Sequence, residues 1–523
     1  MNRFKKFILN GLLLTSVSLL MRGVGVCFNV YISNTVGAEA MGLFTLISTV
    51  YGFAITLATS GVNLAATRLV SEALGEISSA GIRIKNGKTA SVRAVMRKCV
   101  AYSLFFGLLS ASALFICTPA ISRSILRDER TISSLRLLAI SLPPISISSA
   151  LGGYFTAVRR VYKNATVQVL EQAVRIFSCS ALLVRFFAND AESACLCVVA
   201  GGVIAELCSF AVQAVLYLCE RKDDSTSSVP AKGKLIKSKL LGIALPVAFS
   251  AYLRSALITV EHILIPWGLE RSGASRSRSL AAYGTVHSMV FPLIFFPSAI
   301  LSSFAGLLVP EVSQAVAEKK QTDIKRITSN VFEIALLFSI GAAGLISCFA
   351  YELGNTVYPD TDAGRYIRMI APLIPVMYLD TATDAMLKGL GQQVYSMGVN
   401  IVDSLLSVIL VIFLLPRFGI EGYIMTVYCT ELINATLSIT RLLSVTDIKP
   451  RITDLIIKPL ICVVISGAAV SQLAMLDISV FSERFKLVVH MILATAIYLS
   501  LLLLLGSLKI KKLKKGLKLV GNE

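Results

Sequence analysis

Charged residues are scarce in this chain. They make up 15% of its 523 residues, whereas soluble domains carry about a quarter. Hydrophobic residues reach 55%, and the mean hydropathy is +0.75. The composition therefore excludes an ordinary soluble protein and predicts a polytopic membrane protein. Tryptophan occurs once, so aromatic belts at the membrane interfaces would have to use the 16 tyrosines.

The usual signatures of enzymatic chemistry are also missing. The eleven cysteines form no CxxC or zinc-like spacing, and we interpret even the closest two, Cys195 and Cys197, as small apolar residues. The segment GIRIKNGKT at 81–89 resembles a phosphate-binding loop, but its spacing is one residue too long and no strand precedes it. We therefore predict a protein that is not an enzyme, with no catalytic residue, no cofactor and no metal site.

Long apolar runs dominate what is present. A helix needs about 20 apolar residues to cross a bilayer, and the first run, at 7–33, exceeds that length. It is also too long for the core of a signal peptide, so we expect it in the mature chain. Runs of spanning length are predicted near 7–33, 41–66, 99–118, 132–157, 165–187, 193–219, 240–262, 280–308, 327–350, 366–387, 395–415, 420–440, 454–474 and 487–508.

The first of these runs carries an arginine near its middle. Its polar and small residues recur at steps of three or four, which places them on one stripe of a helix: Thr15, Ser18, Arg22, Gly25, Asn29 and Ser33. An arginine at that depth is costly against lipid, so we expect the stripe to face protein or a hydrated cavity. We interpret that cavity as the functional site.

The charges in the connectors indicate the topology. If the N-terminus is cytoplasmic, Lys and Arg predominate in the connectors on its side, while the opposite connectors hold slightly more acidic than basic residues. Basic residues mark the cytoplasmic side, so both termini are predicted to be cytoplasmic and the number of spans to be even. The net charge of +19 is then a topology signal rather than a sign of nucleic-acid binding. The basic tail either touches anionic lipid or is a solvated end.

The two halves of the chain repeat a pattern of intramembrane charges and prolines. One constant offset pairs Arg22 with Arg254, Arg136 with Arg368, Pro143 with Pro375, and Glu171 with Asp403. Beyond the next connector a slightly shorter offset pairs Glu206 with Glu431. Each half has six spans, so both halves enter the membrane in the same direction and form parallel repeats.

The predicted fold class is an all-α polytopic membrane protein with 14 transmembrane helices, arranged as two parallel six-helix repeats (lobes) plus two C-terminal helices. The predicted domains are an N-terminal lobe at 1–220, a cytoplasmic linker at 221–239, a C-terminal lobe at 240–445, and the last two spans with a basic cytoplasmic tail at 446–523.

Four stretches resemble a known family. SNTVGAEAMGLFTLISTVYGF with SGVNLAATRLVSEALG resembles the first two spans of the polysaccharide-exporter family, FPSAILSSFAGLLVPEVSQAVAEKK its eighth span, and LKGLGQQVYSMGVNIVDSLLSVILVIFLLPRFGIEGY its tenth to twelfth. The resemblance is closest to the stage V sporulation protein B branch of the MATE-like flippase superfamily, which includes the lipid II flippases. It implies two lobes around a central cavity, alternating access and a lipid-linked sugar diphosphate as substrate. The sporulation branch is associated with spore cortex peptidoglycan.

The same resemblance implies a set of substrate-binding arginines. In lipid II flippases, arginines on the cavity-lining spans hold the diphosphate, and Arg22, Arg68 and Arg254 match them by position. A guanidinium suits this role because it stays charged and binds phosphate oxygens bidentately. The alternatives are a buried ion pair or snorkelling for Arg22 and Arg254, and a surface pair with Glu72 for Arg68.

A second set of residues is predicted to couple an ion or to line the cavity: Asp380, Asp384, Asp403, Glu171 and Asn29. Asp380 and Asp384 lie one turn apart, where two like charges can create a proton or cation site. The alternative is that both are solvated at the end of a cavity. Glu171 has Arg175 four residues on, which would neutralise it along the helix.

The sequence therefore predicts a flippase that moves a lipid-linked (undecaprenyl-diphosphate) oligosaccharide or peptidoglycan precursor across the bacterial cytoplasmic membrane, from the inner to the outer leaflet, for cell-wall or spore-cortex synthesis. The expected partners are that lipid-linked sugar diphosphate, membrane lipids and cell-wall synthesis enzymes, and no nucleic acid. One alternative is a cation-coupled drug or metabolite antiporter, whose cavity would be dominated by carboxylates. The other is a non-transporting membrane scaffold for cell-wall enzymes, which degraded cavity charges would favour.

Overall fold

The computed structural model describes residues 3–79, 90–186, 190–221, 233–359, 361–448, 453–474 and 483–506. The basic tail, most of the predicted linker and the loop-like segment 81–89 lie outside these residues. The α-helices in the described ranges are α1 (Arg3–Thr59), α2 (Val62–Ser79), α3 (Ala90–Ala120), α4 (Thr131–Ala157), α5 (Val161–Phe186), α6 (Ala191–Arg221), α7 (Gly233–Arg271), α8 (Arg276–Gly284), α9 (Phe291–Phe295), α10 (Ser298–Ala317), α11 (Gln321–Cys348), α12 (Ala350–Val357), α13 (Ala363–Ile370), α14 (Ile374–Gly389), α15 (Gln393–Thr446), α16 (Lys458–Ala474) and α17 (Glu483–Leu504).

Most of these helices have membrane-spanning character. Within the described ranges, 10 helical segments are long and apolar enough to cross a membrane, which confirms an all-α polytopic membrane protein. Two of them, Leu19–Leu74 with 56 residues and Gln393–Thr446 with 54, are more than twice as long as one crossing requires. Each is broken at a glycine with positive φ, Gly37 (φ 84°) or Gly419 (φ 59°), in the connectors predicted after spans one and eleven.

Two predicted spans are interrupted. The run at 280–308 is divided into α8, a π-helical turn at Thr285–Val290, α9 and α10, and the run at 366–387 into α13, a 3₁₀ turn at Ala371–Leu373 and α14. Each interruption contains prolines, which remove a backbone donor and clash with the preceding turn. Neither run provides one uninterrupted spanning helix, so the count of 14 stays a prediction.

The chain divides into two compact units. The first unit contains Met1–Ala38 and Gly268–Glu523, and the second contains Glu39–Trp267. This division differs from the predicted lobes in the placement of the first and seventh spans, and the lobe boundaries stay a prediction. In the second unit α7 is held to α1 by side-chain hydroxyls: Tyr252 donates to Ser60 Oγ at 2.6 Å, and Thr56 donates to Ser255 Oγ at 3.2 Å.

The core of the second unit lies between α2, α3 and α4. Its largest fully buried side chains include Met96, Tyr154 and Phe155. A methyl group at Gly153 would lie 2.5 Å from the carbonyl oxygen of Asn63, so only glycine lets α4 approach α2 so closely. Such small residues matter because helices in a bilayer associate through close van der Waals packing rather than hydrophobic burial.

In the first unit the two C-terminal helices pack on α11. Leu337 on α11 forms a buried cluster with Cys462, Tyr498 and Leu502, and the Tyr498 hydroxyl donates to the Leu337 carbonyl at 2.7 Å. Gly344 on α11 faces Val463, where any side chain would overlap. The helices α16 and α17 are therefore docked on the helix of the ninth predicted span.

Candidate functional site

Arg22 is an exposed cation within the apolar part of α1. It forms no hydrogen bond or ion pair with the residues that the structure describes. Beside it α1 packs against the end of α9, since a methyl group at Gly23 would lie 3.7 Å from Cε2 of Phe296. Further along the predicted stripe, Ser33 donates a 3.0 Å hydrogen bond to Asn29, so that amide is partly satisfied within its own helix. The guanidinium of Arg22 is thus available to an anion.

Arg254 is placed in a similar way in the second unit. Its side chain on α7 is exposed and has no hydrogen-bond or ion-pair partner within the described ranges. Tyr252 and Ser255 on either side of it are both hydrogen-bonded to α1. These contacts hold α7 against α1 on both sides of Arg254 while its own side chain stays open to solvent or ligand.

The two arginines occupy equivalent positions in the repeat. Each is followed directly by a residue that contacts a neighbouring helix or its end: Gly23 faces Phe296, and Ser255 bonds to Thr56. Gly23 corresponds to Ser255 at the offset that pairs Arg22 with Arg254. Within the described ranges, each unit therefore has an exposed guanidinium without an ion-pair partner, and the predicted repeat pairs the two.

Arg68 has a different environment. Its Nε lies 3.1 Å from Glu72 Oε1, and Glu72 also lies 3.3 Å from Lys239 Nζ. Lys239 lies fifteen residues before Arg254 on α7, which at the rise of a helix is about 22 Å along the axis. The structure therefore places Arg68 in an exposed ion-pair triad, away from Arg254.

Three carboxylates come close together in the first unit. Asp380 on α14 and Asp403 on α15 both lie within electrostatic range of Glu431, also on α15. Asn434 donates a 3.3 Å hydrogen bond to Asp380 Oδ2, whereas the buried Oδ1 of Asp380 accepts none from the described part of the chain. Like charges within electrostatic range of one another favour the uptake of a proton or another cation. Glu431 was not predicted as a site residue, although the predicted repeat pairs it with Glu206.

Both carboxylate oxygens of Asp384 accept hydrogen bonds. Its Oδ2 accepts from Lys388 at 2.6 Å, and its Oδ1 accepts from Ser396. The pair with Lys388 neutralises it on its own helix, so the proposed partnership of Asp380 and Asp384 is weaker than the sequence spacing indicates. Among the residues described, no three His, Cys, Asp or Glu side chains are arranged to hold a metal ion.

The second unit has a corresponding pair of acidic residues, and both accept hydrogen bonds from neighbouring side chains. Glu171 accepts from Arg175 at 2.8 Å and from Ser209 at 3.0 Å. Glu206 accepts from the Tyr51 hydroxyl at 2.7 Å, and Tyr51 is also hydrogen-bonded to Ser141. The residue that corresponds to Arg175 in the second half is Ser407, so the fixed cation is present in one repeat and absent from the other. Neither Tyr51 nor Glu206 was predicted as part of a site, because contacts between distant helices leave no periodic signal.

Comparison with models of known protein families assigns the chain to one of them. The model of a family described as polysaccharide biosynthesis protein matches residues 7–283, just over half of the chain. The chain belongs to this family. The MatE family model matches residues 272–413, so the second half carries the related signature on its own.

Curated relatives align over most of their length. The chain is 23% identical to stage V sporulation protein B of Bacillus subtilis (strain 168) over 515 residues, which cover 97% of each chain. It is 20% identical to the lipid II flippase MurJ of the same organism over 439 residues, which cover 79% of this chain and 78% of the relative. These similarities agree with the resemblance that the sequence stretches indicated.

Solved structures share the fold. The lipid II flippase MurJ in an inward closed conformation matches with a TM-score of 0.69 at 12% identity and covers 94% of this chain and 98% of its own. A multidrug resistance MATE family transporter of the MOP superfamily, in an inward-facing conformation, matches with a TM-score of 0.60 at 15% identity, covering 83% and 99%. The chain therefore shares the fold of a lipid II flippase and of a MATE family transporter, and it is a multi-pass membrane protein.

Proposed function

We propose that this protein flips a lipid-linked sugar diphosphate from the inner to the outer leaflet of the bacterial cytoplasmic membrane, with both termini in the cytoplasm. The observation that carries the proposal is the pair of exposed guanidinium groups, Arg22 and Arg254, which have no partner among the described residues and stand at equivalent positions of the repeat. Membership of the polysaccharide biosynthesis family and the fold shared with a lipid II flippase support it.

The chemistry of arginine suits a diphosphate. A guanidinium cannot lose its proton in a protein and offers two parallel N–H groups to phosphate oxygens, so one arginine from each repeat can neutralise the dianion. Arg68 is assigned a secondary contact because Glu72 already pairs with it. Since arginine does not release its ligand by titration, release requires a rearrangement of the helices that carry the two groups.

The membrane potential supplies a driving force. Moving one charge through 100 mV is worth about 2.3 kcal/mol, so export of a dianionic headgroup gains about 4 to 5 kcal/mol when the inside is negative. The acidic residues of the first unit would add an ion-coupled contribution through Asp380, Asp403 and Glu431, with Asp384 and Glu171 held in their own ion pairs. Asn29 is assigned to the cavity lining next to Arg22.

The relatives support a proposal for the biological setting. A substrate built for cell-wall or spore-cortex peptidoglycan agrees with the names of the two Bacillus subtilis relatives, and cell-wall synthesis enzymes would then use the exported product. A cation-coupled antiporter is the second candidate, and the carboxylate cluster of the first unit is the observation that favours it.

Reconstitution in vesicles tests the proposal. The full chain is expected to move a labelled undecaprenyl-diphosphate sugar, and the double variant Arg22→Ala with Arg254→Ala to move it about a hundredfold more slowly, because two charge-assisted contacts are lost. The matched control is Arg136→Ala with Arg368→Ala, a second repeat-related pair whose guanidinium groups stack on Phe115 and Tyr351. Wild-type rates in the first double variant would contradict the arginine assignment, and efflux of a cationic dye without lipid movement would favour the antiporter.

A further inference from the structure

Three carboxamide side chains converge over one glycine in the second unit. A methyl group at Gly152 on α4 would lie 3.4 Å from Asn63 Nδ2, 3.7 Å from Gln213 Nε2 and 4.0 Å from Asn164 Nδ2. The three amides come from different helices: Asn63 from α2, Asn164 from α5 and Gln213 from α6. We call these three side chains the amide cluster.

Only part of the hydrogen-bonding capacity of the amide cluster is used within the protein. Asn63 donates to the Ser149 carbonyl at 2.9 Å, and Asn164 donates to the Gly152 carbonyl at 3.1 Å. Gln213 makes one long contact, 3.5 Å from its Nε2 to Asn164 Oδ1. Each carboxamide has two donor hydrogens and two acceptor lone pairs. The carbonyl oxygens of Asn63 and Gln213 accept no hydrogen bond from the described residues.

The amide cluster runs from the surface of the unit into its interior. The side chain of Asn63 is exposed, whereas that of Gln213 is only 6% exposed. Buried polar groups with unused capacity are unfavourable unless a partner satisfies them. An opening at Asn63 and a buried end at Gln213 therefore form a polar notch rather than a sealed helix contact.

Charged neighbours of the amide cluster are already paired. Lys163, which precedes Asn164, is bound to Glu220, and Glu171, two turns further along α5, is bound to Arg175. A phosphate would require a free cation and a metal ion would require free carboxylates. The notch offers neither, so its chemistry suits an uncharged ligand with many donors and acceptors.

The repeat shows that the fold does not require these amides. At the positions that correspond to Gly152, Asn164 and Gln213, the second half of the chain has Asp384, Ser396 and Ser438. There Ser396 donates to the carboxylate of Asp384, which also pairs with Lys388. The same scaffold thus tolerates a charged arrangement, and the neutral amides are specific to the N-terminal half.

We infer that the amide cluster is a binding subsite for the hydroxyl and N-acetyl groups of a sugar. A carboxamide presents a donor and an acceptor side by side, which complements both a pair of adjacent hydroxyl groups and the N–H and C=O of an acetamido group. Glycine at position 152 lets the three carboxamides gather over α4, within 4.0 Å of the point that a methyl group would occupy. The inference rests on the proposed function, because the sugar would be the uncharged part of the headgroup whose diphosphate the arginines bind.

Direct sugar binding tests the subsite. The probe is N,N′-diacetylchitobiose, added to the full chain in lipid nanodiscs and followed by saturation-transfer NMR at its acetyl methyl groups. The wild type is expected to bind it, and Gly152→Ala to weaken binding about tenfold because the added methyl group touches all three carboxamides and limits their movement toward the sugar. Gly152→Ala is a mild change, since its nearest contact of 3.4 Å is an ordinary one. Gln213→Leu removes an amide directly and is expected to have a similar effect.

A matched control and a second measurement separate the possible failures. Gly202→Ala, on α6 where a methyl group would meet nothing within 4 Å, is expected to bind the sugar like the wild type. No binding by the wild type, or wild-type binding by both Gly152→Ala and Gln213→Leu, would overturn the subsite. Movement of the lipid-linked sugar that requires Arg22 and Arg254 would still uphold the proposed function in that case, whereas absence of lipid movement in the wild type would overturn the function itself.

Discussion

Tyr252 on α7 donates a 2.6 Å hydrogen bond to the side chain of Ser60, at the point where α1 ends. Ser60 is fully buried and also contacts the hydroxyl of Tyr102 on α3 at 2.9 Å. Its φ of 43° and the φ of 68° at Gly61 turn the chain from α1 into α2. One buried hydroxyl thus connects α7, α3 and the turn that precedes Arg68, and the position of Arg254 depends on this junction.

The junction makes Gly61 sensitive to substitution. A methyl group at position 61 would lie 2.7 Å from the carbonyl oxygen of Ala244 on α7, and the positive φ disfavours any side chain. We expect Gly61→Ala to destabilise the protein by about 2 to 4 kcal/mol, measured as a lower Tm in detergent. Gly52→Ala is the control, because nothing lies within 4 Å of a methyl group there, and alanine favours the helix. Equal Tm values for the two variants would show that α7 does not pack as described.

Replacing Arg254 by lysine tests how the cation is used. Arg254 has no partner among the described side chains, so Arg254→Lys keeps the charge and leaves the fold unchanged. A lysine cannot bind two phosphate oxygens in one plane, and we expect lipid transport to fall about tenfold with an unchanged Tm. Arg68→Lys is the comparison, and its loss is expected to be smaller because Glu72 already pairs with it. Full activity of Arg254→Lys would mean that only the positive charge matters at this position, and not the ability of a guanidinium to bind two phosphate oxygens at once.

Much of this organisation was visible in the sequence. The offset between Arg22 and Arg254 predicted two equivalent cations. For Arg68, the spacing to Glu72 left a surface pair open as the alternative to a substrate contact, and the structure shows that pair. These features are local or periodic, so one sequence is enough to detect them. The interruptions of the eighth and tenth spans were not predicted, because prolines also lie inside helices that continue unbroken, such as Pro143 and Pro144 in α4.

The contacts between distant helices were not predictable in the same way. Lys239 joins Glu72, Tyr51 reaches Glu206, and Asn434 binds Asp380 across 54 or more residues of chain. No residue pattern specifies such pairs, because they depend on how the helices rotate and tilt against each other. The amide cluster was missed for the same reason, since its three members belong to three helices.

An ion-pair network beyond the ends of α3 and α4 gives a prediction about pH. Arg130 binds Asp128 at 2.8 Å and Glu39 at 2.9 Å, and the hydrogen bonds to Asp128 raise the pKa of Arg130. A raised pKa means that the stabilisation is complete at every pH below the unfolded value and is lost only in strong alkali. We expect Arg130→Gln to cost about 1 to 2 kcal/mol, allowing for its one-third exposed side chain, and to lower Tm equally at about pH 6 and about pH 8.

A nearby surface pair provides the control for that experiment. Arg123 lies 2.9 Å from Glu129, but both side chains are about two-thirds exposed. Exposed pairs contribute about 0 to 1 kcal/mol, so Arg123→Gln is expected to change Tm much less than Arg130→Gln. A loss for Arg130→Gln that appears at only one of the two pH values would contradict the assignment of the stabilisation to the permanently charged guanidinium.

The carboxylate cluster of the first unit predicts where transport depends on ions. Glu431 lies within range of the charges of Asp380 and Asp403, with no arginine at the position that corresponds to Arg175. Glu206, its equivalent in the second unit, receives a hydrogen bond from Tyr51 and lies near a compensating Arg175. Among the described residues Glu431 has no such hydroxyl or arginine partner, so a proton or another cation would relieve the repulsion that acts on it.

We therefore expect Glu431→Gln to remove the pH and sodium dependence of lipid transport, while Glu206→Gln keeps it. Transport by the wild type is to be measured at pH values from about 5.5 to about 8.5, with and without sodium, because binding of a cation to grouped carboxylates changes with their protonation. Glutamine keeps the shape of the side chain and removes one negative charge, so the remaining two carboxylates no longer need to share a cation. If Glu431→Gln and the wild type respond identically to pH and sodium, the coupling ion does not act at the first unit, and the membrane potential must drive transport. If Glu206→Gln alone removes the response, the coupling ion acts at the second unit instead.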